Sequence, residues 1–517
     1  MDWSFAVKGP LRRLSYGIFF ILGAILIGLI ISNSSLVIDE KYYFGLHELG
    51  SHFLNSSAMV VGSVPATEGI SNLESGTPGL FGLALNGLLI LLPLDLSIPA
   101  LWIMLVGGIF LLLNLYLVKL VAGKLSGQSF FVVTLAMFFT LIYFPLWEQG
   151  VGGVESAISS CVFLGLFYFI RRVEEEAWPG YLKTLYCIFL IGGLVRWENI
   201  FCLILLRNYL IYSLPIYSKS EIGKKSLIFI LAGASVGYIV PHLLLGFEVY
   251  KLSYLLKGLS NIFELLVYHL YPLLIFSASI FLIKGDEFTL KPMGQRVFKR
   301  DEFFCWVGVL FGIFIIQWPV SLITGELTFL SGGRPGGLIT SAIPCLGVVA
   351  ALGLNQIRRS FGTFVENTTA RRIGLVIFFF VMCPPLSGID FMKFVNGDFR
   401  GEQKSNILLG RHIKKNSSNS IIISVGKTSA LPYYSKRRSV FVSPSLTDDE
   451  FSKLLKNSHV DLFTTASLFS KKQYTVLYHN DFRRISNGPF FKIKTKDRKI
   501  YSGFWTWRNR RPSSLFD

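Results

Sequence analysis

Gly79-Leu80-Phe81-Gly82-Leu83-Ala84-Leu85-Asn86-Gly87-Leu88-Leu89-Ile90-Leu91-Leu92-Pro93-Leu94 is apolar almost throughout, rich in glycine, and stops against Asp95. Whether this run crosses a membrane decides the side on which every later segment lies. That a membrane is involved follows from composition. Of 517 residues 52% are hydrophobic, 15% aromatic and only 16% charged, with a mean hydropathy of +0.53. A water-soluble chain could not hide so much apolar surface, so the sequence reads as a polytopic α-helical membrane protein. Apolar runs suited to spanning cover roughly 14–36, 98–118, 129–147, 156–170, 184–196, 199–213, 226–246, 265–284, 303–323, 338–356 and 373–390, about eleven helices. The pair 184–196 and 199–213 is short and nearly continuous, as expected of tilted helices joined by a tight turn.

Parity settles the run 79–94. If it lies on the outer surface or re-enters without crossing, and the N-terminus is inside, twenty Lys and Arg fall in inner segments. Five (Lys41, Arg196, Lys251, Lys257 and Arg334) fall in short outer loops. If it spans, most of this bias reverses. The positive-inside rule therefore favours a non-crossing surface or re-entrant helix over 79–94, preceded by a first outer loop over 37–78. The N-terminal run 14–36, with Lys8, Arg12 and Arg13 before it, reads as an uncleaved first helix. It is long enough to span, and Ser32-Asn33-Ser34 makes a poor cleavage site.

The chain divides into a membrane part, 1–395, and a basic tail, 396–517. The stretch from Gly401 to Asp517 has 22 Lys and Arg against 8 Asp and Glu, most of the chain's net charge of +18. The same parity places this tail outside, and long domains translocate regardless of charge. Ser420 to Val425, Ser439 to Val442, Val460 to Thr464 and Tyr474 to Tyr478 read as strands. Thr447-Asp448-Asp449-Glu450 has capping-box spacing for a helix over 448–457, which makes the tail a small extracytoplasmic α/β domain. Its charge suits lipid headgroups or lipid phosphates. No nucleic-acid-binding motif accompanies it, so no nucleic-acid partner is expected. All six cysteines (161, 187, 202, 305, 345 and 383) fall in apolar segments, where they read as packing residues rather than a disulfide or zinc framework. The seven histidines form no ligand cluster. His47 and His52 lack metalloprotease spacing, so no firm cofactor is expected, although a divalent cation stays open.

With this topology the polar residues near the membrane converge on the outer side. Asp39 and Glu40 open the first outer loop in Ile38-Asp39-Glu40-Lys41-Tyr42-Tyr43. Adjacent carboxylates where a helix leaves the bilayer suit a general base facing a membrane-borne substrate; the bland alternative is that they mark the end of a hydrophobic segment. Glu148 and Glu155 flank Gln149-Gly150-Val151-Gly152-Gly153-Val154, read as the second outer loop. Glu148 there is either functional or a solvated loop charge. Glu155 sits at the mouth of a span, where an unpaired carboxylate is expensive. Arg196 and Glu198 lie at the junction of the two short spans and would neutralise each other in a purely structural role. Lys251 follows the span ending near 246, and Arg334 lies in Gly332-Gly333-Arg334-Pro335-Gly336-Gly337, where glycine amides beside a guanidinium suit a phosphate. No internal repeat suggests an inverted-repeat transporter.

Several of these stretches, in order, resemble motifs of the bacterial GT-C glycosyltransferases that use polyprenyl-phosphate sugars, especially the branch with the terminal arabinofuranosyltransferases and mannosyltransferase-like enzymes. The family's acidic pair with a following aromatic appears as Asp39-Glu40-Lys41-Tyr42-Tyr43, with Glu where Asp is usual. The loop's end resembles Glu74-Ser75-Gly76-Thr77-Pro78 running into an apolar surface helix. Gly152-Gly153-Val154-Glu155-Ser156 is similar to the second-loop pattern, and Leu194-Val195-Arg196-Trp197-Glu198 to Leu-x-Arg-Pro-Glu with Trp for Pro. Gly426, Leu431-Pro432-Tyr433-Tyr434-Ser435 and Leu446-Thr447-Asp448 resemble the outer-domain elements, while Val440-Phe441-Val442-Ser443 lacks an Asp common there.

The resemblance implies a GT-C-like membrane core and an inverting transfer at the outer face of the bacterial inner membrane. The donor would be a polyprenyl-phosphate sugar and the acceptor a hydroxyl of a cell-envelope glycan, glycolipid or protein. It implies a first-loop acid as base, Asp39 first and Glu40 second. Arg196 and Arg334, with Lys251 behind them, would be phosphate partners. Glu155, with Glu148 and Glu198, would bind the acceptor or orient the arginines. The competing class is a transporter or flippase of lipid-linked sugars, which would need polar residues distributed through the membrane depth.

Overall fold

A computed structural model of the chain describes residues 9–33, 38, 42, 46, 79–91, 98–176, 179–213, 216–245, 274–275, 277, 308, 312–313, 315–316, 337–364, 411 and 434, and six strands between 420 and 503. The helices are α1 (Gly9–Asn33), α2 (Leu80–Leu91), α3 (Ile98–Leu125), α4 (Phe130–Ile142), α5 (Phe144–Gly152) and α6 (Val154–Glu176). They continue with α7 (Pro179–Val195), α8 (Ile200–Ser213), α9 (Ile216–Leu245) and α10 (Gly337–Phe364).

Segments of α1, α3 and α9 are long and apolar enough to cross a membrane, and the α4–α5 pair adds a fourth if it counts as one broken span. Their faces say the same. On α1, Ile18, Ile21, Ile25 and Leu29 are exposed on one side, while Ile27 and Ile30 are buried on the other. On α3, Trp102, Leu105, Ile109 and Leu113 are exposed, opposite the buried Ile103, Met104, Leu111 and Leu115. Apolar stripes at helical spacing on the outside of helices this long face lipid, not water. The expected runs 265–284, 303–323 and 373–390 lie wholly or largely outside the described residues.

Local chemistry explains the breaks. α3 ends in a Schellman-type turn, where the Gln128 amide donates to the Gly123 carbonyl at 2.7 Å and Gly127 takes φ 61°. α4 and α5 meet at a 61° bend. Pro145 in the first turn of α5 lacks an amide donor, and its ring crowds the preceding turn. The Trp147 indole N–H donates to the Thr140 carbonyl at 2.9 Å, satisfying a group beside the bend. α2 has 12 residues. At about 1.5 Å per residue it cannot cross a hydrocarbon layer of about 30 Å.

α6 stands at the centre, with Ala157, Phe163, Leu164, Leu166 and Phe167 buried. Polar groups fasten it to its neighbours. The Asn114 side chain of α3 donates to the Ala157 carbonyl at 2.9 Å, and Ser160 donates to the Ser341 carbonyl of α10 at 2.6 Å. Inside a bilayer such bonds hold helices together where apolar contact alone has little preference over lipid. α7 and α9 approach through glycine. A Cβ on Gly193 would meet the Ala234 amide nitrogen at 2.5 Å, and one on Gly237 would meet the Leu194 Cα at 3.2 Å. Cys161, Cys202 and Cys345 are buried as packing residues, whereas Cys187 is exposed.

In the tail, β1 (Ser420–Val425), β2 (Ser439–Val442), β3 (Asp461–Thr464), β4 (Thr475–Tyr478), β5 (Phe490–Thr495) and β6 (Arg498–Gly503) form one mixed sheet in the order β2-β1-β3-β6-β5-β4. β1 pairs parallel with β2 and β3, β3 pairs parallel with β6, and β5 is antiparallel to β4 and β6. β1 to β4 fall where the sequence reading places strands. β5 and β6 form a hairpin that reading lacks, with Thr495 opposite Arg498. The helix expected over 448–457 lies outside the described residues.

Candidate active site

The site is built around a helix break. α7 stops at Val195 because Arg196 is extended, with φ −153° and ψ 122°, and Trp197–Asn199 makes one 3-10 turn before α8 begins. Asn199 holds the break closed. Its amide donates to the Arg196 carbonyl at 3.1 Å. Its side-chain amide donates to the Gly192 carbonyl and to Ser159 Oγ of α6, both at 3.0 Å. A carbonyl at the C-terminus of α7 is thereby capped from the next element. The expectation of two short helices joined by a tight turn agrees with this geometry.

Arg196 is 3% exposed, and its Nη2 lies 3.6 Å from Oε1 of Glu198, whose side chain is 11% exposed. The guanidinium is therefore held out of bulk solvent beside a partly accessible carboxylate, and pairing of the two is observed. Trp197 packs edge-on against Tyr238 of α9 at 5.3 Å between centroids. Tyr238 lies in turn 4.1 Å from the ring of the buried His242, whose Nδ1 is 2.7 Å from the Tyr238 carbonyl oxygen. This aromatic cluster beside the Arg196 turn escapes sequence reading. Its one signal is that Tyr238 and His242 are four residues apart and share a helix face.

Glu155 is fully buried in the first turn of α6. Its Oε1 accepts a hydrogen bond from the backbone N–H of Gly79, and the Gly79 carbonyl accepts the amide of Leu83 at 2.9 Å, so Gly79 caps α2. A Cβ on Gly79 would collide with the Val195 carbonyl. Three segments far apart in sequence thus meet: the start of α2, the start of α6 and the end of α7, one residue before Arg196. Glu155, Arg196 and Glu198 are brought to one end of the helical assembly.

Glu148 departs from the sequence reading. The stretch taken as the second outer loop is helical as far as Gly152, and Glu148 is fully buried on α5 rather than a solvated loop charge. Gly150 there serves close packing instead of a turn. A Cβ on Gly107 of α3 would run into the carbonyl of Gly150. Asp39, Glu40, Lys251 and Arg334 lie outside the described residues. The neighbours of the acidic pair are described: Ile38, Tyr42 and Leu46 are buried, and the Tyr42 carbonyl accepts a bond from Asn86 of α2 at 3.2 Å. In the tail, Tyr434 of the Leu-Pro-Tyr-Tyr-Ser element is fully buried within the hydrophobic core, with the guanidinium of Arg411 5.2 Å from its ring centroid. Among the described residues no three of His, Cys, Asp and Glu gather as a metal site.

No family model matches the chain. No curated protein matches it significantly. Solved structures do. ArnT from Cupriavidus metallidurans in the apo state is similar over 90% of this chain and 96% of its own, with 13% identity and a TM-score of 0.44. ArnT from the same organism bound to undecaprenyl phosphate is similar over 94% and 97%, with 12% identity and a TM-score of 0.40.

Proposed function

We propose that this chain is a GT-C-type glycosyltransferase that moves a hexosyl or pentosyl group from a polyprenyl-phosphate donor to a hydroxyl of a cell-envelope glycan, glycolipid or protein, with inversion. The observation that carries the reading is the junction of Gly79, Glu155 and the Val195–Arg196 turn. It joins the far end of the first outer loop, the loop that the acidic pair opens, to a buried guanidinium. Asp39, or Glu40 after it, takes the acceptor hydroxyl proton. The oxygen attacks the anomeric carbon, the bond from that carbon to the phosphate oxygen breaks, and polyprenyl phosphate departs as an anion. Arg196, with Arg334 and Lys251, supplies positive charge for that anion, and a guanidinium shielded from water interacts with it more strongly than an exposed one. Glu155, Glu148 and Glu198 orient these cations or the acceptor. In this reading the protein sits in the bacterial cytoplasmic membrane, N-terminus inside and tail outside, with the donor reaching it from the outer leaflet.

One observation favours the transporter reading. Asn114, Ser159, Ser160, Thr340 and Ser341 are buried polar residues away from the Arg196 turn in sequence. Asn114, Ser159 and Ser160 are, however, engaged between helices, as glue rather than as a lined path. Among the described residues the buried charged side chains are Glu148, Glu155 and Arg196. The deciding experiment replaces Asp39 with Asn and Glu40 with Gln in the purified protein and measures sugar transfer from undecaprenyl-phosphate sugars. Transfer is expected to disappear with the thermal transition unchanged. Undiminished transfer would remove the first-loop base.

A further inference from the structure

α2 buries one face, Gly82, Leu83, Asn86 and Leu89, and leaves Phe81, Leu88 and Leu91 exposed. Three of these four inward positions are apolar or small, as packing alone requires. Asn86 is an amide at 0% exposure, and its Oδ1 has no hydrogen-bond partner among the described residues. A buried amide that is only half satisfied is a poor packing residue, so its presence points to the bond it does make. That bond runs from Nδ2 to the Tyr42 carbonyl, 44 residues earlier in the chain. Tyr42 is itself fully buried, as is Ile38 four residues before it, so both of these residues are seated in the core, and α2 bonds to one of them.

The other end of α2 is held as firmly. Glu155 accepts the Gly79 amide, and the Val195 carbonyl lies so close to Gly79 that no side chain fits there. Seven residues of helix, about 10 Å, separate this anchor from Asn86. α2 therefore carries a fixed distance from the Val195–Arg196 turn to the Tyr42 backbone. In the sequence, Asp39 and Glu40 precede Tyr42 by three and two residues.

We propose that Asn86 and Glu155 are positioning residues that use α2 as a strut to set the register of the Asp39–Glu40 segment against the Arg196 turn. The proposal deepens the glycosyltransferase reading and rests on it for the role of the acidic pair. It also makes Glu155 a tether rather than an acceptor ligand. A general base displaced by about 1 Å loses roughly a hundredfold in rate while substrate binding through other groups persists.

The test uses the full chain in lipid nanodiscs. Asn86→Leu removes the donor and the half-satisfied amide together while filling its space. It is expected to cut kcat by roughly a hundredfold, with KM for the lipid donor and binding of undecaprenyl phosphate within about twofold of wild type. Glu155→Gln keeps an oxygen for the Gly79 amide and is expected to retain most of the rate, whereas Glu155→Ala loses it. A cysteine in place of Lys41, labelled with maleimide, gives a readout independent of activity. Its labelling rate should rise in Asn86→Leu and Glu155→Ala but not in Glu155→Gln. Wild-type kcat in Asn86→Leu, or unchanged labelling in both disrupting variants, overturns the strut. Glu155→Gln as inactive as Glu155→Ala, with its labelling unchanged, assigns the Glu155 charge to chemistry instead. If the wild-type protein transfers no sugar from any polyprenyl donor, the functional reading fails while the labelling still decides the strut.

Discussion

Arg196 concentrates the electrostatic cost of the candidate site. A guanidinium 3% exposed needs a counter-charge, and Glu198 supplies one at 3.6 Å. Removing one partner of a buried pair typically costs about 3–5 kcal/mol, whereas replacing both by apolar residues is often neutral. Glu198→Leu alone should therefore lower the thermal midpoint of the purified protein clearly, and Arg196→Met with Glu198→Leu should restore most of it. In the proposed reading the double variant should nonetheless transfer sugar about a hundredfold or more slowly than wild type, because it lacks a donor to the developing phosphate charge. Restored stability together with restored transfer would make the pair purely structural. Arg196, Glu198 and Glu155 stood out in the sequence because charges at the ends of apolar runs are expensive. Their partners did not. The Gly79–Glu155 bond spans 76 residues and depends on how three helices pack. Glu148 misled for a related reason: glycine-rich Gln149 to Gly153 looks like a loop, while Gly150 in fact admits the backbone of α3.

At the scale of elements, glycines divide into those that set helix spacing and those that do not. On α9, Gly233 and Gly237 are separated by three residues, and both face Leu190 to Leu194 of α7 at backbone contact distance. This is the small-xxx-small solution for helices in lipid. Gly193→Ala puts a methyl where the Ala234 amide nitrogen stands at 2.5 Å. It should destabilise the protein by about 1–3 kcal/mol, the usual range for overpacking. On α1, a Cβ at Gly28 meets nothing within 4 Å among the described residues, so Gly28→Ala should be neutral or slightly stabilising. Thermal denaturation of the two variants in one detergent separates the cases, and equal midpoints would remove the proposed α7–α9 seam. The paired short helices α7 and α8 were readable from hydropathy. The β5–β6 hairpin was not, because lysines at 492 and 494 interrupt its apolar character even though they keep the period of two.

Over the whole molecule, the same Gly79–Glu155 contact constrains topology without any appeal to charge. Two backbone segments in direct contact at helix ends lie on one side of the bilayer, so an even number of crossings separates residue 79 from residue 155. α3 supplies one, and the bent α4–α5 pair, taken as one broken span, supplies a second. A crossing by α2 would make the number odd, and its 12 residues are too few for one. The contact at Val195 likewise requires an even number of crossings between 155 and 195, so the shorter apolar helices α6 and α7 cross either together or not at all. With the α4–α5 pair counted as one span, the packing agrees with the Lys and Arg distribution in favouring a non-crossing α2. In the proposed reading the absolute orientation, with the tail outside, rests on the charge bias alone. Cysteines introduced singly at Ser75, Ser97, Lys124 and Ser513 test both parts, read against wild type with a membrane-impermeant maleimide on intact and permeabilised cells. Ser75→Cys and Ser97→Cys flank α2 and should label together in intact cells, as should Ser513→Cys, while Lys124→Cys should label only after permeabilisation. Labelling of Ser97→Cys confined to permeabilised cells would make α2 a span and break the parity. Labelling of Ser513→Cys confined to them would leave the α2 result standing and move the tail, with its basic sheet, to the cytoplasmic face.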